Sequence, residues 1–353
     1  MTNAMESNFT DLTLKLEQLN DKATFTLLPA VVFLIVVGLV SFYGNILVCY
    51  IFIFQMKRGT QNFLVSTLGV LSLISTLVGI PASIYSGTHR YTFYSLIGCR
   101  WGHFLNLLFL MATMFVLLII ALDRYLKICR PFKCQLKLRQ TRIAVAVALC
   151  LATAFSLPRY FMYEIKSVKM MEPGVMGTYC LHIEDLTIVA LYHAGKIVIF
   201  LSLIIAMTFL YARIAWTSRN RKNIINSFDD INRSAACKLQ EQKELRPSNS
   251  LRLLADRATV IGLIVTVVFV VSFLPYIAIR IVITVDVHFP VSLTGTSLVV
   301  YDLFDCTYFI NTAANPIIYG VLNTHFRQEV LKLMSRCRGQ TERVGQYSPG
   351  SSD

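Results

Sequence analysis

Seven apolar runs, at residues 27–54, 63–86, 102–126, 143–163, 186–216, 260–285 and 297–322, limit what this chain can fold into more than any other feature. Each meets the about 20 residues that a helix needs to cross hydrocarbon. Inside a bilayer the backbone must satisfy its own hydrogen bonds, so such runs form helices. Mean hydropathy is +0.58 and only 15% of the residues are charged, which marks an integral membrane protein. The expected fold class is an all-α membrane protein, a seven-transmembrane helix bundle. No internal repeat and no matched pair of broken helices of the kind found in many transporters is visible.

A net charge of +13 suggests a nucleic-acid partner until its placement is followed. With the amino terminus outside, most of the 33 lysines and arginines fall in the inner loops and tail, the positive-inside pattern. The basic excess then faces the lipid bilayer and cytosolic partners, and no nucleic acid is expected. Residues 1–24 carry no signal peptide, so the first run is expected to act as its own insertion signal. Asn8-Phe9-Thr10 is a glycosylation sequon on the outer side. Of nine cysteines only Cys99 and Cys180 fall in outer segments, where an oxidising exterior makes them the one expected disulfide.

Polar residues and prolines punctuate the runs. Asn45 follows Gly44 in the first, where a mid-membrane amide must face protein. Pro81 breaks the second near its outer end, and the third closes on Asp123-Arg124-Tyr125, an ion pair at the inner boundary. The fourth run ends at Pro158 and Tyr211 closes the membrane part of the fifth. Residues 217–254 read as a mobile third inner loop. In the sixth run, Pro275 follows Phe269 and Phe273 and forces a kink. The seventh ends Asn315-Pro316-Ile317-Ile318-Tyr319. Residues 323–337 alternate at helical spacing around Phe326 and Arg327, too short to span, and fit a helix along the inner leaflet with Cys337 open to palmitoylation. The expected divisions are an extracellular segment 1–26, the bundle 27–322, the amphipathic helix 323–337 and a disordered cytoplasmic tail 338–353.

In this order and spacing, these motifs resemble the rhodopsin-like family of G-protein-coupled receptors, over about residues 27–337. The resemblance implies a plasma-membrane receptor that couples an extracellular ligand to a heterotrimeric G-protein. Arg124, held by Asp123 at rest, turns toward Tyr211 and Tyr319 when the sixth helix swings outward about Pro275. It also implies arrestin and receptor kinases as partners of Thr341, Ser348, Ser351 and Ser352 in the tail. Some positions depart from the family pattern. Ser72 replaces the second-helix aspartate of the sodium site, so sodium modulation is expected to be weak or absent. Leu203 replaces the fifth-helix proline and Phe273 the sixth-helix tryptophan, while Met114, Leu203 and Phe269 still make an apolar trio. Ala255 stands at the usual second acid lock on the arginine, with Asp256 beside it, which implies appreciable basal activity.

For the ligand pocket, helical phase points Asn106 as Arg124 points and His193 as Tyr211 points. Lys196 lies near His193 on the same helix, Asp302 and Asp305 near the top of the seventh, and Tyr85 and His89 near the top of the second. Lys196 and Asp305 have two readings, an internal ion pair tying two helices together or contacts for a polar ligand. Asn106 stands where amine receptors of the family carry aspartate, and Phe309 where opsins carry the Schiff-base lysine, which disfavours amines and retinal. A peptide or other polar ligand is preferred, under a second outer loop long enough for a hairpin around Cys180. No metal site, cofactor motif or enzyme signature is evident. A transporter or channel, and a receptor-like protein that binds without signalling, are the alternatives.

Overall fold

The computed structural model describes residues 2–132, 135–170, 173–183, 185–235, 249–285 and 289–345. Among the described residues six helices are long and apolar enough to cross a membrane: Leu28–Gln55, Thr60–Thr88, Leu96–Cys129, Leu138–Phe161, Thr187–Asn220 and Thr259–Ile283. The seventh span is divided, because Thr307–Phe309 winds as a tighter turn between the helices Gly295–Cys306 and Ile310–Leu322. Large apolar side chains outside the bundle, such as Val36, Leu191 and Phe209, remain exposed, as lipid-facing positions must. Among the described residues the largest of three buried apolar clusters runs from Phe52 and Phe326 at one end to Tyr276 near the other, and contains Met114, Leu203 and Phe269 together.

Proline and asparagine explain how the first and seventh spans meet. Pro316 has no N–H to give the carbonyl four residues back, so the Thr312 oxygen is free. Asn45, fully buried, donates to it from Nδ2 at 2.9 Å and to the Ser41 carbonyl at 2.8 Å. Gly44 permits this approach, since a Cβ there would lie 2.5 Å from Pro316 Cγ. Ser41 and Thr76 hydroxyls join at 2.6 Å and carry the polar seam to the second span. In that span Ser75–Gly79 forms a wide turn just before Pro81, which rotates everything beyond it relative to a regular helix.

At one end of the bundle, strands β1 (Tyr163–Lys169) and β2 (Met176–His182) pair antiparallel with Ile165 opposite Cys180. The Cys99–Cys180 disulfide is formed and pins β2 to the top of the third span. At the opposite end Asn323 caps the helix Thr324–Gly345 by accepting from the Phe326 N–H. Phe326 stacks on Phe52, which also meets Tyr319, so this helix lies against the first and seventh spans.

Two expected boundaries change, and the outer segment proves helical. Residues 2–26 form a helix whose Asn20 binds the Thr88 carbonyl and the Tyr91 N–H, and whose Leu16 and Ala23 are buried. The fifth helix continues to Ala235 and the sixth begins at Asn249, so helix covers both ends of the loop expected at 217–254, and residues 236–248 lie outside the described residues. The last helix runs to Gly345 rather than 337, because residues 338–345 carry no proline and continue the helical backbone. The side chains of Asn8, Ala255, Asp256, Thr341 and Cys337 lie outside the described atoms, as do residues Ser348, Ser351 and Ser352.

Candidate ligand cavity and switch

A cavity of about 200 Å3 opens at the disulfide end. Its mouth is framed by the hairpin, with Phe93 and Tyr91 backbone groups bonded to Thr178. Among the expected pocket residues, Asn106, Asp302 and Asp305 line it. Asn106 reaches the Ser83 hydroxyl at 3.5 Å and leaves its buried Oδ1 without a partner among the described residues. Asp302 sits 3.6 Å from Arg90, and Asp305 accepts from Arg280.

His193 and Lys196 are buried behind the wall instead, 3.4 Å apart, with Lys196 Nζ 6.0 Å from the Tyr276 ring centroid. The alternative Lys196–Asp305 pair is not formed, because Arg280 has taken the carboxylate. Tyr85 is 43% exposed and stacks on His89 at 4.2 Å, away from the cavity. The wide turn at Ser75–Gly79 is the reason: it turns Ser83 and Gly87 to the cavity and Tyr85 outward.

The residues that sequence reasoning missed are Arg159, Arg280, Tyr276, Tyr163, His103 and His182. Arg159 Nη1 donates to the Tyr276 hydroxyl at 3.4 Å, and its Nη2 lies 3.3 Å from the Tyr163 hydroxyl and 3.4 Å from His103 Nδ1. The Tyr163 hydroxyl in turn meets His182 Nε2 on β2 at 3.1 Å. Burial, then the charges of Arg159, Arg280 and Lys196, hold the His182 imidazole well below its ordinary pKa, so it is neutral. A signal existed: Arg280 interrupts an apolar run with apolar residues on both sides, and an intramembrane charge leans functional.

At the opposite end Asp123 is 1% exposed, and its Oδ2 accepts from Arg124 Nη2 and Lys127 Nζ, each at 2.9 Å. Tyr125 is half-buried with the Arg130 guanidinium 5.9 Å above its ring. Arg124 faces a small void bounded by Gly262, Val265 and Tyr319. Tyr211 reaches across to the sixth span, where its hydroxyl accepts from Thr266 at 3.4 Å; Gly262 leaves the room, since a Cβ there would sit 2.9 Å from that hydroxyl. Between the two ends, Phe269 stacks on Phe273 at 5.5 Å and Phe273 packs edge-on to Phe200 at 4.8 Å. On the seventh span Asn315 is buried with neither amide atom partnered among the described residues. Pro275 lies within the sixth helix between Phe273 and Tyr276.

A family description, the seven-transmembrane receptor (rhodopsin family), matches residues 44–319. Human neuromedin-U receptor 1 is 23% identical over 97% of this chain and 82% of its own length. A QRFP-like peptide receptor of Branchiostoma floridae is 23% identical over 91% and 80%. Trace amine-associated receptor 13c of Danio rerio is 25% identical over 85% and 81%.

Proposed function

Because the chain belongs to the rhodopsin family of seven-transmembrane receptors, we propose that it transmits binding of an extracellular peptide or similar polar ligand to a heterotrimeric G-protein by outward movement of the sixth helix. The observation that carries this reading is the closed Asp123–Arg124 pair, sealed at 2.9 Å at the end of the bundle opposite a polar cavity. The pair is one arrangement of a two-state element. A ligand that binds the other arrangement better shifts the balance. In this reading the disulfide end, with the cavity, faces outside and the arginine end faces the cytosol of the plasma membrane.

The peptide preference draws on the neuromedin-U and QRFP-like relatives and on Asn106, which offers an amide where an amine ligand needs a carboxylate. Activation separates Arg124 from Asp123 and brings it toward Tyr211 and Tyr319, both already at the edge of its void or one helix turn from it. Arrestin and receptor kinases are further partners of the tail.

The test is a screen of peptides against membranes containing the receptor and several classes of G-protein, read as nucleotide exchange. Ligand-dependent exchange that vanishes in Arg124→Ala supports the reading. Solute flux through the purified protein, or saturable ligand binding with no exchange for any G-protein class, overturns it.

A further inference from the structure

Among the described residues the charges around the cavity do not balance, and the imbalance falls at Arg159. Four cations, Arg90, Arg159, Lys196 and Arg280, surround it against two carboxylates among the described residues, Asp302 and Asp305. Asp302 serves Arg90 and Asp305 serves Arg280. Arg159 has no carboxylate within ion-pair distance among the described residues, although it is only 4% exposed. Its Nε has no partner among the described residues, and its other nitrogens rest on two phenol hydroxyls and an imidazole at 3.3–3.4 Å, the long end of hydrogen-bonding distance. Burying a guanidinium without a carboxylate partner is costly.

The position is nevertheless built. Tyr163, the first residue of β1, lies under the Arg159 guanidinium at 5.5 Å, and His103 stacks on Tyr163 with ring centroids 3.7 Å apart. His182 holds the Tyr163 hydroxyl from β2. Tyr276 then gathers the rest: it accepts from Arg159, lies 4.8 Å from the Arg280 guanidinium, and has Lys196 beyond its ring. Arg159, Tyr276 and Arg280 all line the cavity. An arginine fixed by packing, short of a counter-ion and open to a void is suited to receive one, since its planar fork takes two oxygens of an oxyanion at once.

We propose that the cavity takes a ligand whose buried end is an oxyanion, a carboxylate or sulfate, seated between Arg159 and Arg280 above Tyr276. This rests on the reading of the cavity as the ligand site and deepens it: a peptide enters with a free carboxylate or a sulfated side chain, not with an amidated end. At about 200 Å3 the cavity is below the size that holds a whole drug-like ligand, so it receives the ligand's end. Lys196 adds positive field from behind the ring and makes no direct contact.

The experiment needs no natural ligand and no G-protein. The thermal unfolding of purified full-length receptor is followed against 3-phenylpropionate, phenethyl sulfate and the neutral 3-phenylpropionamide. A saturable rise with either anion and none with the amide is expected, and whichever anion half-saturates lower identifies the oxyanion. Arg159→Gln raises that half-saturating concentration at least about ten-fold, Arg159→Lys recovers part of the loss, and Arg139→Gln, at an exposed position of the other end, changes nothing. Equal shifts from the amide and the anions on the unaltered receptor, or no shift from any of the three, overturn the proposal even when no variant folds. An anion response whose half-saturating concentration is unchanged in folded Arg159→Gln does so as well. Absence of nucleotide exchange in the earlier screen leaves these binding results unaffected, so the two readings fail separately.

Discussion

Replacing Asp123 with asparagine isolates the switch, because the substitution keeps the shape and removes only the charge. Asp123 is almost fully buried, and its Oδ2 carries two cationic donors at 2.9 Å. A buried hydrogen bond to a charged group contributes about 1.5–3 kcal/mol, which is the Arg124 share. Lys127 is 37% exposed, so solvent screening leaves it at most about 1 kcal/mol. Together the closed state loses roughly 1.5–4 kcal/mol. A receptor resting at about 1% open sits near 2.7 kcal/mol from balance, so Asp123→Asn lifts the open fraction to between roughly a tenth and nine-tenths. Nucleotide exchange without ligand, in membranes matched for receptor density, should therefore rise at least about ten-fold. Lys127→Ala should raise it only up to about five-fold, the equivalent of its smaller share. Basal exchange in Asp123→Asn within two-fold of the unaltered receptor, at equal surface density, refutes the idea that this carboxylate holds the arginine closed.

Other consequences are smaller and separately measurable. Gly44→Ala places a Cβ 2.5 Å from the rigid Pro316 ring and pries the first span from the seventh; overpacking of this kind costs about 1–3 kcal/mol, and the unfolding temperature should fall by at least about 2 °C. No change there denies the close approach. His182 has a folded pKa far below its unfolded value of about 6.5, so the unfolded chain binds the extra proton and stability falls as pH drops below about 6.5. The slope reaches about 1.4 kcal/mol per pH unit, and His182→Gln should be flatter than the unaltered receptor between pH 5 and 6.5 by that margin; parallel curves contradict it. Cys99→Ser frees β2 from the third span and should cost about 2–4 kcal/mol, seen as fewer receptors at the cell surface by epitope staining. Surface counts equal to the unaltered receptor argue against a stabilising role.

Much of the scaffold was legible because its signals are local. A proline, the residue before it and the length of an apolar run each act within a turn or two of chain, so the seven spans, the Asp123–Arg124 pair and the disulfide could be named from residue order. The pocket was harder, since its chemistry depends on phase and on distant partners. Asn106 lines the cavity, on the face that counting turns along a regular third span gives it. Tyr85 does not, because the wide turn at Ser75–Gly79 shifts the phase and nothing in Ser-Thr-Leu-Val-Gly announces it. Lys196 looked like the partner of Asp305 only while Arg280 was overlooked. Arg159 next to Pro158 looks like an anchor at a helix end, and only the fold shows it turned inward under β1. The helix at residues 2–26 has few apolar residues to advertise it and gains its place from Asn20 binding the loop after the second span.

The two ends of the molecule are joined by aromatic packing on one helix, and that packing makes the last prediction. Tyr276 touches Phe273 at 5.0 Å and Phe273 stacks on Phe269, with Pro275 between the first two. Arg159 holds the Tyr276 hydroxyl, so any group that draws on Arg159 also moves the ring resting on Phe273. Phe273 has no exposed surface and does not line the cavity, whereas Tyr276, which packs against it, does. Phe273→Leu keeps the site apolar and removes the ring-to-ring contacts, each worth about 0.5–1.5 kcal/mol beyond area burial. The anion-dependent rise in unfolding temperature should persist in this variant, because the residues that hold the anion are untouched. Ligand-stimulated nucleotide exchange should fall by about three- to ten-fold at saturating ligand, because the binding energy no longer reaches the helix that moves. Exchange that falls only in step with ligand affinity places Phe273 in the binding site, and exchange that does not fall at all removes the aromatic column from the route between the cavity and Arg124.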